Sequence, residues 1–419
     1  MTTRKAADTD PHTQLSRRGL LLGAAAGTAG AAALAVPGYA APAPNSDDIV
    51  DLSRSVPFYG TAEQAGIRTP PQRHLFYMTF DLTSGSRQDL QVLLARWSAA
   101  VSQLVQGKIV GQVEPSRTDG IGADTGEALN LGPASLTVTV GLGPKVFTDT
   151  YGLAAQRPPL LRDLNPLPSD AFDPRLTGGD LSLQACADDP QVAYHAVRVL
   201  ARIAKSTGTA ATRWSVLGFG RASAGKGQST PRNLLGFKDG TRNLKADADI
   251  DRFVWVKDGP AWQRFGTYQV ARKIRMHVEN WDTNRVSNQN DVFGRHKVSG
   301  APLTGTSEFD TPDFSRVVDG KPVIPVNAHI SLASFENNNG IRILRRSYNY
   351  TDGIDGVGQL DAGLMFVSYQ SDPAHFEMLQ SKLGASDALN EYIAHIGSAI
   401  FFVPPAPPEG SYIGEAMFG

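Results

Sequence analysis

Leu75-Phe76-Tyr77-Met78-Thr79-Phe80-Asp81-Leu82 sets Phe76, Met78, Phe80 and Leu82 on one side and Leu75, Tyr77, Thr79 and Asp81 on the other. Alternation at period two belongs to a strand, so a strand is predicted over residues 75–82. Downstream, Leu90, Leu93, Leu94, Trp97, Val101 and Leu104 recur at i, i+3, i+4 and i+7, drawing one apolar stripe along a helix. Residues 135–141 are β-branched and alternate again, and the Gly-Leu-Gly-Pro that follows turns the chain into a short helix. Another strand is predicted over residues 180–187. Asp188-Asp189-Pro190 then opens a helix carrying Val192, Ala196, Val199 and Ile203, and residues 214–217 close the unit as a short strand.

The second half shows the same order. Strands are predicted over residues 266–275, 341–348, 364–369 and 398–403, a polar helix over 277–290 and a further helix over 373–383. Strand, helix, strand, strand, helix, strand is the split βαβ, ferredoxin-like arrangement, in which helices cover one face of an antiparallel sheet. The expected class is α+β, with two ferredoxin-like (βαββαβ) domains packed into one barrel-like core. The repeat is one of element order, with no sequence motif shared between the halves. Residues 1–41 are set apart as a leader, 42–72 as an irregular N-terminal segment, 73–222 as the first domain and 223–419 as the second. Within the second, residues 305–325, with Pro312, Gly320, Pro322 and Pro325, form an irregular insertion of the kind that often lines a functional site.

Composition narrows the chemistry. Forty Lys and Arg against 41 Asp and Glu leave a net charge of −1, so no global field recruits nucleic acid or an acidic membrane. The single cysteine, Cys186, excludes an intramolecular disulfide, a thiolate-rich zinc or iron–sulfur site and attachment of a haem through Cys-x-x-Cys-His. At the N-terminus, Ser16-Arg17-Arg18-Gly19-Leu20-Leu21 precedes an uncharged Ala/Gly-rich stretch and Pro37-Gly38-Tyr39-Ala40-Ala41. Paired arginines, apolar run and small-residue exit together look like a twin-arginine export signal cleaved after about Ala40. Ala and Gly dominate after the leucines, which argues against a stable membrane span in the mature form. The expected location is extracellular, cell-wall-associated or periplasmic.

Three constellations stand out. Asn233-Leu234-Leu235-Gly236-Phe237-Lys238-Asp239-Gly240-Thr241-Arg242 reads either as a plain Asp-Gly turn or as a rigid turn presenting a carboxylate that moves protons. Val323-Ile324-Pro325-Val326-Asn327-Ala328-His329-Ile330-Ser331 holds the best placed of eight histidines. An imidazole in an apolar run is either a packed core residue or a ligand, and the chain offers no His pair with Glu and no Cys/His cluster for zinc. A lone His suits five-coordinate haem iron with its sixth position open. In Ile341-Arg342-Ile343-Leu344-Arg345-Arg346-Ser347-Tyr348, strand alternation puts Ile341, Ile343 and Arg345 on one face, drawing Arg345 inward. It then needs an anion, whether a structural Asp or a functional one.

Gly236-Phe237-Lys238-Asp239-Gly240-Thr241, Asn327-Ala328-His329-Ile330 and Leu344-Arg345-Arg346-Ser347-Tyr348 resemble, in identity and order, the motifs of the dye-decolourising (DyP-type) haem peroxidases. Val56-Pro57-Phe58-Tyr59-Gly60, Gly178-Gly179-Asp180-Leu181 and Gly358-Gln359-Leu360-Asp361-Ala362-Gly363 extend the likeness over the mature chain, closest to the exported subgroup that includes the deferrochelatase/peroxidase of iron-uptake operons. The resemblance implies one non-covalent haem b per chain, with His329 as proximal iron ligand and Asp239 and Arg345 on the distal side. It also implies Gly240, Thr241 and Arg242 as haem contacts. Ser347 stands where many relatives carry a distal Asn, and is expected at the peroxide site as a shorter hydrogen-bonding partner. The implied partners are hydrogen peroxide and a bulky phenolic, dye-like or protein electron donor oxidised through a ferryl intermediate, with homo-oligomerisation left open. A haem-binding, iron-releasing role is the alternative. Asp239 is expected to shuttle a proton between the peroxide oxygens, Arg345 to supply fixed positive charge, and Asp361 either to accept a hydrogen bond from the second nitrogen of His329 or to cap a turn.

Overall fold

The computed structural model describes residues 49–117 and 119–419, so the leader and its cleavage site lie outside the described residues. In β1 (His74–Leu82), Phe76 and Phe80 join a helix-covered core while Leu75 and Tyr77 belong to a second core. α1 (Arg87–Leu104) begins where the Ser86 hydroxyl accepts the Asp89 amide at 3.2 Å, and it buries the predicted stripe from Leu90 to Leu104. Each large side chain so buried contributes about 1.5–3 kcal/mol, against less than about 0.7 kcal/mol per residue from ordinary helix propensity. Packing therefore decides this helix.

β2 (Thr137–Leu142) and β3 (Leu181–Ala187) are buried on both faces, and α2 (Pro190–Ser206) starts at Asp189, whose carboxylate accepts the Gln191 and Val192 amides. β4 (Ala210–Arg221) extends well beyond the predicted strand because it buries little besides alternate residues such as Trp214 and Val216 and exposes the rest.

The second half contains α3 (Asp247–Phe253), β5 (Thr267–Met276), α4 (Val278–Asp282), α5 (Val286–Phe293) and a small hairpin, β6 (Val317–Val318) with β7 (Lys321–Pro322). α6 (His329–Ala333), β8 (Leu344–Arg345), β9 (Tyr348–Ile354), β10 (Leu360–Gln370), α7 (Pro373–Ser386) and β11 (Ile393–Val403) complete it. The predicted helix over 277–290 is two short helices, because Arg285 between them is extended at ψ 144°. The predicted strand over 341–348 is interrupted: β8 pairs with Ser368 and Tyr369 of β10, β9 pairs with Leu360 to Met365, and Arg346-Ser347 bridge the break.

The strands form two antiparallel sheets of the ferredoxin-like order, β2-β3-β1-β4 and β11-β5-β10-β9. Gly218↔Tyr350 joins them along one seam and Phe402↔Leu142 along the other, so the two sheets close into a barrel. Its interior is partly polar, and hydrogen bonds cross it between the halves. Tyr77 donates to Gln269 at 3.0 Å, Gln269 to the Tyr369 hydroxyl at 2.8 Å, and Tyr369 to Gln184 at 2.7 Å. Buried polar groups matched in this way specify one register between the sheets.

Candidate active site

On the outer face of the second sheet, Ile274, Leu364 and Phe366 border a cavity, and Phe366 also meets Phe376 of α7 with ring centroids 5.8 Å apart. α6, α7, the 233–243 turn and residues 341–345 supply the other walls.

The turn is rigid for identifiable reasons. The Asn233 amide donates to the Phe237 carbonyl at 3.0 Å, its side-chain oxygen accepts the Leu235 and Phe237 amides at 3.1 and 3.3 Å, and the Asp239 amide donates to the Pro231 carbonyl at 2.9 Å. Gly240 has φ +97°, and a Cβ there would lie 3.0 Å from the Ala224 backbone nitrogen, so any side chain would be strained and crowded. Asp239 is thereby presented to the cavity. Its Oδ1 accepts from Arg345 Nη1 at 2.8 Å and its Oδ2 from the Asn233 amide at 3.2 Å.

Arg345 is held just as firmly. Asn243 accepts its amide and donates to its carbonyl, both at 2.9 Å. Ile341, Ile343 and Arg345 all reach the cavity, while Leu344 enters the barrel core and Arg346 is buried against the Thr69 carbonyl and Gln72. Arg342 reaches the cavity as well, so alternation holds only from Ile343 to Arg346, about where strand pairing begins at Leu344.

His329 opens α6 and lies on the cavity wall. Its Nδ1 bonds Asp387 Oδ2 at 2.7 Å. Burial disfavours the imidazolium, but the charge and hydrogen bond of Asp387, aided by Asp239, outweigh it and raise the His329 pKa. Asp387 is itself positioned: its Oδ1 caps the Leu389 amide at 2.9 Å, and the Ala388 amide donates to Asn327 at 3.0 Å, stitching the two segments together.

Two expected roles are corrected. Asp361 does not serve His329: it is off the cavity wall, its nearest ion-pair partner is Arg275 at 3.8 Å, and the position expected of it is taken by Asp387. Ser347 does not reach the cavity either. The break between β8 and β9 turns it inward, where its amide donates to Ser223 at 3.1 Å and its hydroxyl accepts the Val367 amide at 3.4 Å. Gly240, Thr241 and Arg242 do line the wall, Thr241 donating to Glu308 at 3.1 Å and Arg242 pairing with Glu336 at 2.6 and 2.9 Å over the Phe335 ring. The functional residues that sequence reasoning missed are Asp387, Asn243 and the stabilising role of Asn233.

Among the described residues no group of three or more His, Cys, Asp or Glu side chains could hold a bare metal ion. A single imidazole with one nitrogen tied to a carboxylate, opening on a large apolar cavity, instead fits a metal that arrives with its own macrocyclic ligands.

Comparison with known proteins agrees. The family description "Dyp-type peroxidase, N-terminal" matches residues 64–220 and "Dyp-type peroxidase, C-terminal" residues 230–407. The deferrochelatase of Yersinia pestis is 37% identical over 377 residues, 86% of this chain and 84% of that protein. That of Escherichia coli (strain K12) is 37% identical over 374 residues, 86% of each. Among solved structures, ferric DtpA from Streptomyces lividans superposes with a TM-score of 0.80 at 40% identity, covering 88% of this chain and 98% of that one. A DyP-type peroxidase from Cellulomonas bogoriensis gives 0.77 at 37% identity, covering 87% and 98%. With both halves matched in order, and full-length relatives above a third identical, the chain belongs to the Dyp-type peroxidase family of haem peroxidases.

Proposed function

We propose that the protein uses hydrogen peroxide to oxidise bulky phenolic or dye-like donors by one-electron steps at one non-covalent haem b held by His329. The observation that carries this reading is the convergence on one cavity of a carboxylate-anchored imidazole and an Asp–Arg pair, drawn from segments far apart in the chain. When bound, the haem supplies an open iron position for peroxide and a centre that takes donor electrons singly.

The protein's own groups do the proton work. Asp239 takes the proton that peroxide must lose, through Oδ2, whose bond to Asn233 at 3.2 Å is the weaker of its two, and returns it to the departing oxygen. Arg345 stays protonated throughout, its position fixed by Asn243 so that no reorganisation is needed, and offers its charge to the departing oxygen, which leaves as water once Asp239 has returned the proton. Asp387 keeps the Nδ1 proton of His329 engaged, which orients Nε2 as the ligand atom and raises its basicity.

The curated relatives' name motivates a second reading, removal of iron from an intact porphyrin. One experiment separates the two. Haem-loaded protein given peroxide and a phenolic donor should turn over many equivalents without losing its Soret band, and H329A should lack that band altogether. Release of iron with recovery of metal-free porphyrin, and no donor oxidation, would favour the second reading. Export by the twin-arginine route fits a protein that loads its cofactor before leaving the cytoplasm; the support is the Arg17-Arg18 leader, and no described helix is long and apolar enough to cross a membrane.

A further inference from the structure

Two walls of the cavity meet at one aromatic ring. Phe293, the last residue of α5, is buried and borders the cavity. It stacks on Phe237 of the 233–243 turn, with centroids 4.1 Å apart and planes 10° from parallel, and its centroid lies 6.0 Å from that of the His329 imidazole at an interplanar angle of 63°. Trp281 of α4 closes the cluster, edge-on to Phe293 at 5.7 Å and to Phe237 at 6.0 Å, while its Nε1 donates to the Leu235 carbonyl at 3.0 Å. Gly294 makes the approach to His329 possible. It takes a left-handed conformation at φ 74°, and a Cβ there would lie 2.7 Å from Ile330 Cγ1 and 3.2 Å from Ala328 Cβ, so the end of α5 presses directly on the two residues that flank His329.

The bond from Nδ1 to Asp387 fixes one atom of the imidazole. The torsion that turns the ring about its own axis is broad in histidine, so the plane of the ring is left to whatever packs beside it. An edge contact with a second aromatic ring has a preferred geometry and selects one setting of that torsion. Phe293 makes this contact, and its own position is set by Phe237, two residues before Asp239 in a turn already held by Asn233. The same ring therefore leans on both sides of the site. We propose that Phe293 is a positioning residue, which sets the plane of the His329 imidazole and, through its stack on Phe237, couples that plane to the turn carrying Asp239. This rests on the haem reading above, with His329 as the ligand.

The test uses the full-length haem-loaded protein, reduced to the ferrous state, and reads the iron–imidazole stretching band by resonance Raman spectroscopy. F293L keeps most of the volume and removes the ring; it should shift or split that band, whereas F293Y, which keeps the ring, should leave the band at its wild-type position. F237L should shift the band when Phe293 is present and add nothing in an F293L background, because its effect passes through the Phe293 ring. An unshifted band in F293L, a shift in F293Y as large as in F293L, or additive shifts in the double variant overturns the coupling and leaves His329 standing as the ligand. Absence of any iron–imidazole band in wild type overturns the haem reading, and the coupling with it. Should F293L fail to hold haem, F237L decides alone: a shifted band at wild-type haem content supports the coupling, and an unshifted one overturns it.

Discussion

The two halves of the barrel share one strand order, yet one is solid and the other hollow. On the first sheet, α1 and α2, 18 and 17 residues long, lie across the outer face and fill it with Leu93, Leu94, Trp97, Val197 and Leu200. On the second, the helix expected after β5 is broken into α4 and α5, of 5 and 8 residues, and α7 alone is long. The space a second packed helix would occupy is the cavity, and the chain spends residues 294–345 arranging His329, Arg295 and Arg345 around it. The fold supplies function here by leaving one face of a repeated unit uncovered and lining the gap with charge.

The largest test of that contrast is chemical. D239N should retain haem, since Asp239 bonds Arg345 and Asn233 and not His329, yet react with peroxide about 10²–10⁴-fold more slowly. Stopped-flow loss of the resting Soret band measures it, and an unchanged rate would remove Asp239 from the mechanism. Next comes packing. Trp97, 1% exposed and donating to the Leu200 carbonyl at 2.8 Å, should cost about 3–5 kcal/mol as W97A in urea unfolding of haem-free protein. L364A, on the cavity floor, should cost less than about 2 kcal/mol, because part of its surface already faces open space. Equal costs would mean that the second sheet is packed as tightly as the first.

The same contrast explains what was legible in the sequence. The solid half announces itself: β1 and α1 bury the residues that periodicity selects, because there burial is two-faced and helices are long enough to show a stripe. The hollow half hides. α6, five residues long, has no readable period, and β8 with β9 looked like one strand because the break at Arg346-Ser347 keeps hydrophobic alternation up to Arg345. Asp239, Arg345 and His329 emerged from motif resemblance, but the bonds that make them a site span 106 and 58 residues. Nothing local in Ser386-Asp387-Ala388 marks a partner for His329. Its signal as a helix-end cap is the ordinary use of Asp, whereas Asp361 beside Leu360 had a motif to recommend it and lies by Arg275 instead.

That difference can be sharpened by exchanging the two carboxylates. D387N should weaken haem retention by about 10–100-fold, the usual range for the hydrogen-bond partner of a ligating imidazole. Transfer of haem to a scavenger protein reads this directly. D361N should transfer haem at the wild-type rate, because Asp361 is off the cavity wall. Equal effects would mean that both act through general stability and not through the imidazole.

The smallest effect concerns the segment that follows α5. Burial pushes Glu308 upward, but hydrogen bonds from Lys238, Thr230 and Thr241 and the Lys238 charge outweigh it, so its pKa lies below the ordinary 4.5. A carboxylate depressed on folding contributes stability that is present above its unfolded pKa and lost as the pH falls through the lowered value. Acid should therefore loosen the 294–325 segment and the turn it holds through Lys238 and Thr241. E308Q should flatten the acid limb of a melting-temperature profile recorded between pH 3 and 5, with haem-free protein used so that cofactor loss does not enter. An acid limb as steep in E308Q as in wild type would place the acid sensitivity elsewhere, and tie the 294–325 segment to Arg295 and its two carbonyl bonds, to Gly300 and Glu308, rather than to the Glu308 carboxylate.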